Sequence, residues 1–270
     1  MSQPLIDIGA NLTHASFDTD RPQVIARARA AGVQWMIVTG SDAQASQAAR
    51  ELCRQYPGTL FATAGVHPHH AKDVTDAAWP RLRDLLGYDE VVAVGECGLD
   101  YFRNFSPPAA QRVIFELQLQ LAVDAGKPVF LHQRDAHADF MAILRKYRHR
   151  LRTAAVHCFT GSETELRDYL ALDCHIGITG WICDERRGSH LRELVKQVPV
   201  KQLLIETDAP YLLPRDLQPK PRTRRNEPMY LAHICATVAA CTDRPVTQVA
   251  AETTLNASRC FDLPALASVE

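Results

Sequence analysis

Short runs of apolar, often β-branched residues recur along the whole chain and predict eight β-strands. The predicted strands cover residues 5–9, 33–39, 60–66, 91–95, 128–132, 154–157, 175–179 and 203–207. Segments with helical spacing of apolar positions separate them, as at Val113, Leu117 and Leu121. Successive runs begin about 20 to 40 residues apart, which is the size of a βα unit with its loops. The pattern therefore predicts strands and helices that alternate along the chain.

Eight consecutive βα units are typical of a closed TIM-type (β/α)8 barrel, a fold that commonly uses about 250 residues. We expect one catalytic domain over residues 1–270, because no linker or break in composition divides the chain. A doubly wound open sheet is the alternative, and the lack of a G-x-G-x-x-G turn after the first strand argues against it. Residues 210–228, rich in Pro and Arg, predict a loop over one mouth of the barrel, followed by helices at 231–240 and 246–256.

Composition and charge narrow the classes of protein. The chain has 46% hydrophobic and 23% charged residues, an ordinary globular profile. The first residues lack the pattern of a signal peptide, and no apolar run approaches the roughly 20 residues of a membrane span. Eight cysteines without a C-x-x-C pair indicate reduced thiols. We therefore expect a cytoplasmic protein, free of the membrane, and a monomer.

The net charge of −1 provides no broad field that would attract nucleic acid. A local basic segment, Lys220 to Arg225, is the one candidate patch, and such a run is more often a solvated loop than a binding site. Its position after the last predicted strand favours phosphate binding by Arg222 and Arg224, whereas Arg225 could be structural.

Charged and imidazole side chains lie at the ends of four predicted strands. Glu96 follows the fourth strand, His132 ends the fifth, His157 ends the sixth and Asp208 follows the eighth. Because the carboxyl ends of barrel strands meet at one rim, we expect these four side chains to converge there. A single histidine at a strand end is more often structural, but four placements at the correct ends are hard to obtain by chance. Two imidazoles and two carboxylates together could hold a divalent cation.

The strings around these residues resemble the signature strings of the TatD family of metal-dependent deoxyribonucleases. The matching strings are Gly65-Val-His-Pro-His, Gly95-Glu-Cys-Gly-Leu-Asp-Tyr, His132-Gln-Arg-Asp-Ala, His157-Cys-Phe-Thr-Gly, Glu206-Thr-Asp-Ala-Pro-Tyr-Leu and Arg225-Asn-Glu-Pro. They occur in the family's order and spacing from Asp7 to beyond Pro228. The combined match is specific to this family, whose fold is of the metallo-dependent hydrolase type, rather than to the wider amidohydrolase-like superfamily.

The resemblance implies roles for the residues at the matching positions. Glu96 matches a carboxylate that contacts and can bridge metals, and His132 and His157 match imidazole ligands. Asp208 matches a carboxylate that binds metal and orients the attacking water, so that Glu96 and Asp208 are the expected catalytic residues.

The resemblance also implies substrate contacts. His67 and His69 match histidines that help to hold the substrate phosphate, and Arg134 matches a basic position just past the fifth-strand ligand.

The first strand departs from the family pattern. Family members usually carry Asp-x-His-x-His-Leu there, whereas this chain has Gly9 and Asn11 in place of the two histidines. In this respect the chain resembles a subgroup of the family that lacks the first-strand His-x-His. We expect one strong metal site and a doubtful second, to which the Asn11 amide oxygen could contribute weakly. Mg²⁺ is the expected metal, with Mn²⁺ and Zn²⁺ as alternatives because the ligands are mixed.

These features favour an exonuclease that trims single-stranded ends, and the resemblance implies the same activity with 3′-to-5′ polarity on DNA, with RNA as a further candidate substrate. One basic loop can hold only a few phosphates, and aromatic residues in the loops after the strands could stack unpaired bases or simply anchor the loops. These aromatic residues are Phe102, Phe105, Phe159, Trp181 and Tyr211. Two alternatives remain open, namely an amide or lactone hydrolase on the same scaffold and a catalytically silent barrel that binds nucleic acid. A phosphodiesterase assay with and without EDTA separates the three.

Overall fold

A computed structural model describes residues 3–264 and contains one sheet of eight parallel strands in chain order. The strands are β1 Leu5–Ala10, β2 Val33–Val38, β3 Leu60–Ala64, β4 Val91–Asp100, β5 Val129–Arg134, β6 Ala154–Val156, β7 His175–Ile178 and β8 Leu203–Ile205. This order confirms the predicted barrel, because a doubly wound sheet reverses its strand order at a switch point. The predicted domain of residues 1–270 begins and ends outside the described residues, so a single domain over the whole chain stays a prediction.

The helices follow the strands and pack on the outside of the barrel. They are α1 Arg21–Ala30, α2 Ala43–Gln55, α3 Ala78–Leu86, α4 Pro108–Ala125, α5 His137–Tyr147, α6 Glu163–Ala171, α7 Ser189–Leu194, α8 Leu231–Cys241 and α9 Val246–Phe261. The two predicted closing helices are thus present as α8 and α9. In the part of the chain that the structure describes, no helix has the length and apolar character needed to cross a membrane.

The barrel closes between the first strand and the segment just beyond the eighth. The Asp208 N–H donates to the Gly9 carbonyl at 2.8 Å, and the Asn11 N–H donates to the Ala209 carbonyl at 2.6 Å. Ala10 and Ala209 also form a parallel bridge. This closure places Asn11 and Asp208 side by side on the rim formed by the carboxyl ends of the strands.

The amino-terminal mouth of the barrel is plugged. The inward-facing residues of the strands form a cluster that includes Ile6, Trp35 and Phe61, and the end of α9 joins it through Phe261. A second, larger layer lies between the strands and the surrounding helices. The mouth at the carboxyl ends is the one at which barrels of this type place their polar sites.

Strand β4 continues beyond the predicted end at residue 95. It pairs again with β5 from Cys97 to Asp100, after an irregularity in register at Glu96. Gly98 permits this continuation, because it has φ +147° and a Cβ there would lie 1.8 Å from the His132 carbonyl oxygen. The apolar pattern cannot reveal this extension, since the added residues include glycine and a buried aspartate.

The loop after β8 is tied to α1 by Arg225. Its guanidinium makes two 2.7 Å bonds to the Asp20 carboxylate and a 2.8 Å bond to Glu227, and it lies 4.9 Å above the ring of Phe17. Arg225 is therefore structural, the second of the two roles considered from the sequence.

Candidate metal centre

Glu96 is the centre of the site. Where β4 bends, the Glu96 N–H leaves the ladder and donates to the Gly40 carbonyl at 2.7 Å. The Glu96 side chain then points into the mouth of the barrel. Its Oε1 lies 2.8 Å from His132 Nδ1, 2.8 Å from His157 Nε2 and 3.3 Å from His67 Nε2. Three strands and the loop after β3 thus bring three imidazoles to one carboxylate oxygen.

The charge state of Glu96 follows from this arrangement. Burial opposes its ionisation, but the imidazoles of His157, His67 and His132 outweigh burial and hold the pKa of Glu96 well below its usual range. His67 has the opposite balance, because burial outweighs its attraction to Glu96 and lowers the pKa of His67 to about 4. Burial thus favours the neutral form of His67, whereas the carboxylates around His132 and His157 raise the pKa of those two imidazoles. Because a metal ion binds neutral imidazole, its binding would displace protons from these two rings.

Asp100 supports His132 from behind. One oxygen of Asp100 lies 3.3 Å from His132 Nε2 and 2.9 Å from His69 Nε2, and the other accepts the Arg103 N–H at 2.8 Å. Burial raises the pKa of Asp100, but these hydrogen bonds outweigh it, and the net pKa is far below the usual range. His69 therefore reaches the site through Asp100, whereas His67 contacts Glu96 directly.

Glu206 lies behind His157. It is completely buried, its Oε1 accepts the Cys158 N–H at 2.5 Å, and its Oε2 lies 3.4 Å from His157 Nδ1. These two facing atoms are buried, and neither has a hydrogen-bond partner among the described residues. Burial lowers the pKa of His157, but Glu96 and Glu206 outweigh it and raise that pKa well above its usual value. A carboxylate behind a histidine ligand fixes the orientation of the ring.

Asp208 follows β8 with a left-handed backbone, φ 55°. Its Oδ1 accepts a hydrogen bond of 3.0 Å from the Asn11 amide. Burial raises the pKa of Asp208 to about 7, and the negative charges of Glu96 and Glu206 add to this effect while His157 opposes it. Asp208 and Asn11 therefore lie together at the edge of the Glu96 cluster, within its electrostatic field.

The donor set fits a divalent cation. One atom each from His67, Glu96 and His132 lie within 4.8 Å of one another, and His157 Nε2 lies 3.4 Å from His132 Nδ1. Mixed nitrogen and oxygen donors suit Mn²⁺ and Zn²⁺ as well as Mg²⁺. The geometry also adds His67, which the sequence placed only at the substrate phosphate, to the possible ligands.

The remaining predicted substrate residues lie further out. Arg134 ends β5 on the rim, with its guanidinium 4.1 Å from the centroid of the Phe102 ring. Arg222 and Arg224 are exposed in the loop after β8, and within residues 3–264 no hydrogen bond connects either side chain to the Glu96 cluster. The structure thus brings Arg134 near the site and leaves Arg222 and Arg224 in solvent.

The departure in the first strand coincides with Glu206. A Cβ at Gly9 would lie 2.4 Å from Glu206 Oε2 and 3.0 Å from Phe130 Cζ. The carboxylate of Glu206 thus occupies the space where a side chain at position 9 would begin. Sequence reasoning gave Glu206 and Asp100 no role, although both lie inside the matched strings. A carboxylate at the end of an apolar run, as in Leu203-Leu-Ile-Glu, was the available signal.

Comparison with known proteins follows the same strings. A model of the TatD-related DNase family matches residues 6–262. The chain belongs to this family. This membership confirms the resemblance and makes the protein a hydrolase that acts on phosphodiester bonds.

Individual relatives cover nearly the whole chain. It is 52% identical over 259 residues to the 3′-5′ ssDNA/RNA exonuclease TatD of Edwardsiella piscicida, a match that covers 96% of this chain and 100% of the relative. The protein of the same name from Yersinia pseudotuberculosis is also 52% identical, with the same coverage. Among solved structures, a TatD homologue from Escherichia coli has a TM-score of 0.88 at 29% identity, covering 96% of this chain and 98% of that one.

Proposed function

We propose that the protein is a divalent-metal-dependent 3′-to-5′ exonuclease that acts on single-stranded DNA and also accepts RNA. The observation that carries this proposal is the gathering of three imidazoles around one buried carboxylate oxygen, that of Glu96, at the open mouth of the barrel. The family is one of DNases. The two relatives described above, each 52% identical to this chain, carry the name 3′-5′ ssDNA/RNA exonuclease.

Glu96, His132, His157 and Asp208 would hold the metal, with His67 as a further ligand. A bound Mg²⁺ or Mn²⁺ polarises a phosphoryl oxygen and lowers the pKa of water at the site. Asp208 orients the attacking water and accepts its proton, a role that suits a carboxylate whose pKa is raised to about 7 by burial.

We expect Mg²⁺ as the native metal, with Mn²⁺ and Zn²⁺ as alternatives. The carboxylates of Glu96 and Asp208 suit a hard cation, whereas the three imidazoles around Glu96 suit Mn²⁺ and Zn²⁺ as well. The first strand provides Asn11 instead of imidazoles. With both first-strand histidines absent, we expect one strong metal position and at most a weak second, near Asn11.

The substrate contacts lie around this centre. His69 and Arg134 are positioned to bind phosphate oxygens, since both lie on the rim and are partly exposed. The exposed Arg222 and Arg224 extend the positive charge along the part of the nucleic-acid strand that leads away from the metal centre. The net charge of −1 leaves no broad basic surface for a duplex, which favours entry of a single-stranded end.

The cysteines support a reducing cellular setting. Eight free thiols, six of them buried, are suited to a reducing compartment. We expect a cytoplasmic monomer that folds as a single domain.

The test is a time course with Mg²⁺ or EDTA on end-labelled single-stranded, blunt duplex and closed circular DNA. We expect stepwise shortening from the 3′ end of the single strand only, and only with metal. His132→Ala should abolish it, whereas His149→Ala, at an exposed histidine of the barrel surface, should not. Activity in EDTA, or full activity of His132→Ala, would refute the metal assignment, and fast opening of the circle would show an endonuclease.

A further inference from the structure

A cavity of about 510 Å³ opens beside the metal centre, between the loops that follow β5, β6 and β7. Its walls include Arg134 from β5, His157 and Phe159 after β6, Trp181 after β7, and Arg187 and His190 near and in α7. A volume of this size is within the range that holds a small organic molecule. The far side is bounded by residues of α6 and α7, among them Tyr169 and Leu191.

The cavity and the metal centre share one wall. His157 lines the cavity, and its Nε2 lies 2.8 Å from Glu96 Oε1. A molecule in the cavity is therefore adjacent to any phosphate bound at Glu96. The cavity can therefore hold a chemical group that is attached to that phosphate.

The chemistry of the walls is that of a nucleoside site. Trp181 is only partly buried, and its backbone N–H donates to the Thr179 hydroxyl at 3.3 Å. Arg134 and Arg187 supply positive charge at the edges of the cavity, and Gln133 supplies an amide. A flat aromatic face with cationic edges suits a base and its flanking phosphates.

The other aromatic residues of the rim are elsewhere. Phe102, Phe105 and Tyr211 are exposed, and each lies against a neighbour on the rim. The Arg134 guanidinium lies 4.1 Å from the Phe102 ring centroid, Phe105 packs on His69 at 4.7 Å between ring centroids, and Tyr211 lies 5.7 Å from the His14 ring. None of these three lines the cavity. Phe159 does, but it is buried and packs against Tyr169 at 6.2 Å, which makes it part of the wall. Trp181 is thus the aromatic residue best placed to stack on a bound base.

We propose that this cavity binds the base and sugar of the 3′-terminal nucleotide, with Trp181 as the stacking face. The inference rests on the proposed exonuclease function and deepens it. The phosphate on the 5′ side of that nucleotide lies at the metal centre, where water attacks phosphorus, the bond to the preceding 3′ oxygen breaks, and that oxygen takes up a proton. The cavity has room for one nucleoside and is lined by residues of α6 and α7, so a strand whose 3′ end occupies it presents its last phosphodiester to the metal centre. The cavity therefore explains release of one nucleotide at a time, and stacking on Trp181 makes that release tolerant of base identity.

The test compares single strands that end in a normal nucleotide or in an abasic one, a tetrahydrofuran residue. Stacking of one base is worth about 1 to 3 kcal/mol, so the wild type should prefer the normal end by about 5- to 150-fold in kcat/KM. Trp181→Ala should lose this preference because its kcat/KM falls only for the normal end. Trp181→Phe should keep most of the preference. Tyr211→Ala, at an exposed aromatic residue outside the cavity, should keep it.

Hydrolysis of bis-p-nitrophenyl phosphate monitors the metal centre separately, and the rate of each variant on the two strand ends is divided by its rate on this small ester. As a second measurement, dAMP should inhibit this hydrolysis in the wild type more strongly than deoxyribose 5-phosphate does. Equal rates on the two ends, or equal inhibition, would overturn the assignment of the cavity alone. Loss of the preference in Tyr211→Ala rather than Trp181→Ala would place the base elsewhere. A wild type without metal-dependent cleavage of either substrate type would overturn the proposed function, and this inference with it.

Discussion

The contact between Glu206 and His157 allows a sharp test of how the site holds its metal. The change is Glu206→Gln, which keeps the shape of the side chain and removes its negative charge. Glu206 Oε2 lies 3.4 Å from His157 Nδ1, and neither atom has another partner among the described residues. Loss of such a supporting group lowers metal affinity by about 10- to 100-fold, or about 1.4 to 2.8 kcal/mol.

The effect on folding should have a different sign from the effect on the metal. Glu206 is fully buried with one hydrogen bond, from the Cys158 N–H, which a glutamine oxygen can also accept. A neutral amide costs less to bury than a carboxylate. We therefore expect Glu206→Gln to melt in EDTA at the wild-type temperature or above, while it binds metal more weakly.

The measurements are Mn²⁺ titration by calorimetry and thermal melting in EDTA. Glu90→Gln is the control, since Glu90 lies at the other end of β4 and pairs with Arg50 at 3.0 Å. Wild-type Mn²⁺ affinity in Glu206→Gln would refute the reasoning. A lower melting temperature with unchanged affinity would show instead that Glu206 acts only in the packing of the barrel.

Three further results are expected. Because burial raises the pKa of Asp208 to about 7, Mn²⁺ affinity should rise as pH increases through 7, and Asp208→Asn should flatten this rise in a titration series. Hydrogen bonds from Arg225 lower the pKa of Asp20 from 3.8 to about 2, so the fall in melting temperature caused by Asp20→Asn should be full above pH 3.8 and vanish as pH approaches 2. Neutralising Arg222 and Arg224 together should reduce the salt-dependence slope of single-strand binding by about 1.4, and an unchanged slope would remove both from the substrate path.

The fold could be predicted because each strand carries its own signal. Strands buried on both faces are nearly continuous apolar runs, and all eight were found at the predicted places. The predicted ends of the strands were less accurate. The pattern missed the continuation of β4 to Asp100, because that continuation depends on Gly98 and a close approach to the backbone of His132. Contacts of this kind join distant parts of the chain and leave no periodic trace.

The positions of the site residues could be predicted about as well as the positions of the strands. Counting strand ends located Glu96, His132 and His157 at one rim, because barrel geometry brings strand ends together. It could not separate ligands from supporting groups. Whether Glu206 faces the barrel interior or the helices depends on the side of β8 to which it points, and a run of three strand residues is too short to show this.

The departure at the first strand and the buried carboxylate of Glu206 are best understood as one feature. A side chain at position 9 would begin 2.4 Å from Glu206 Oε2, so it would require that carboxylate to leave its contacts with Cys158 and His157. Gly9 therefore allows Glu206 to stand behind His157, where it orients the ligand from within the barrel. A longer side chain at position 9 would thus shift the end of the Glu206 side chain and weaken its contact with His157. With Gly9 and Asn11, the first strand provides no imidazole donor for a second metal, which is why one strong metal position is the expected stoichiometry.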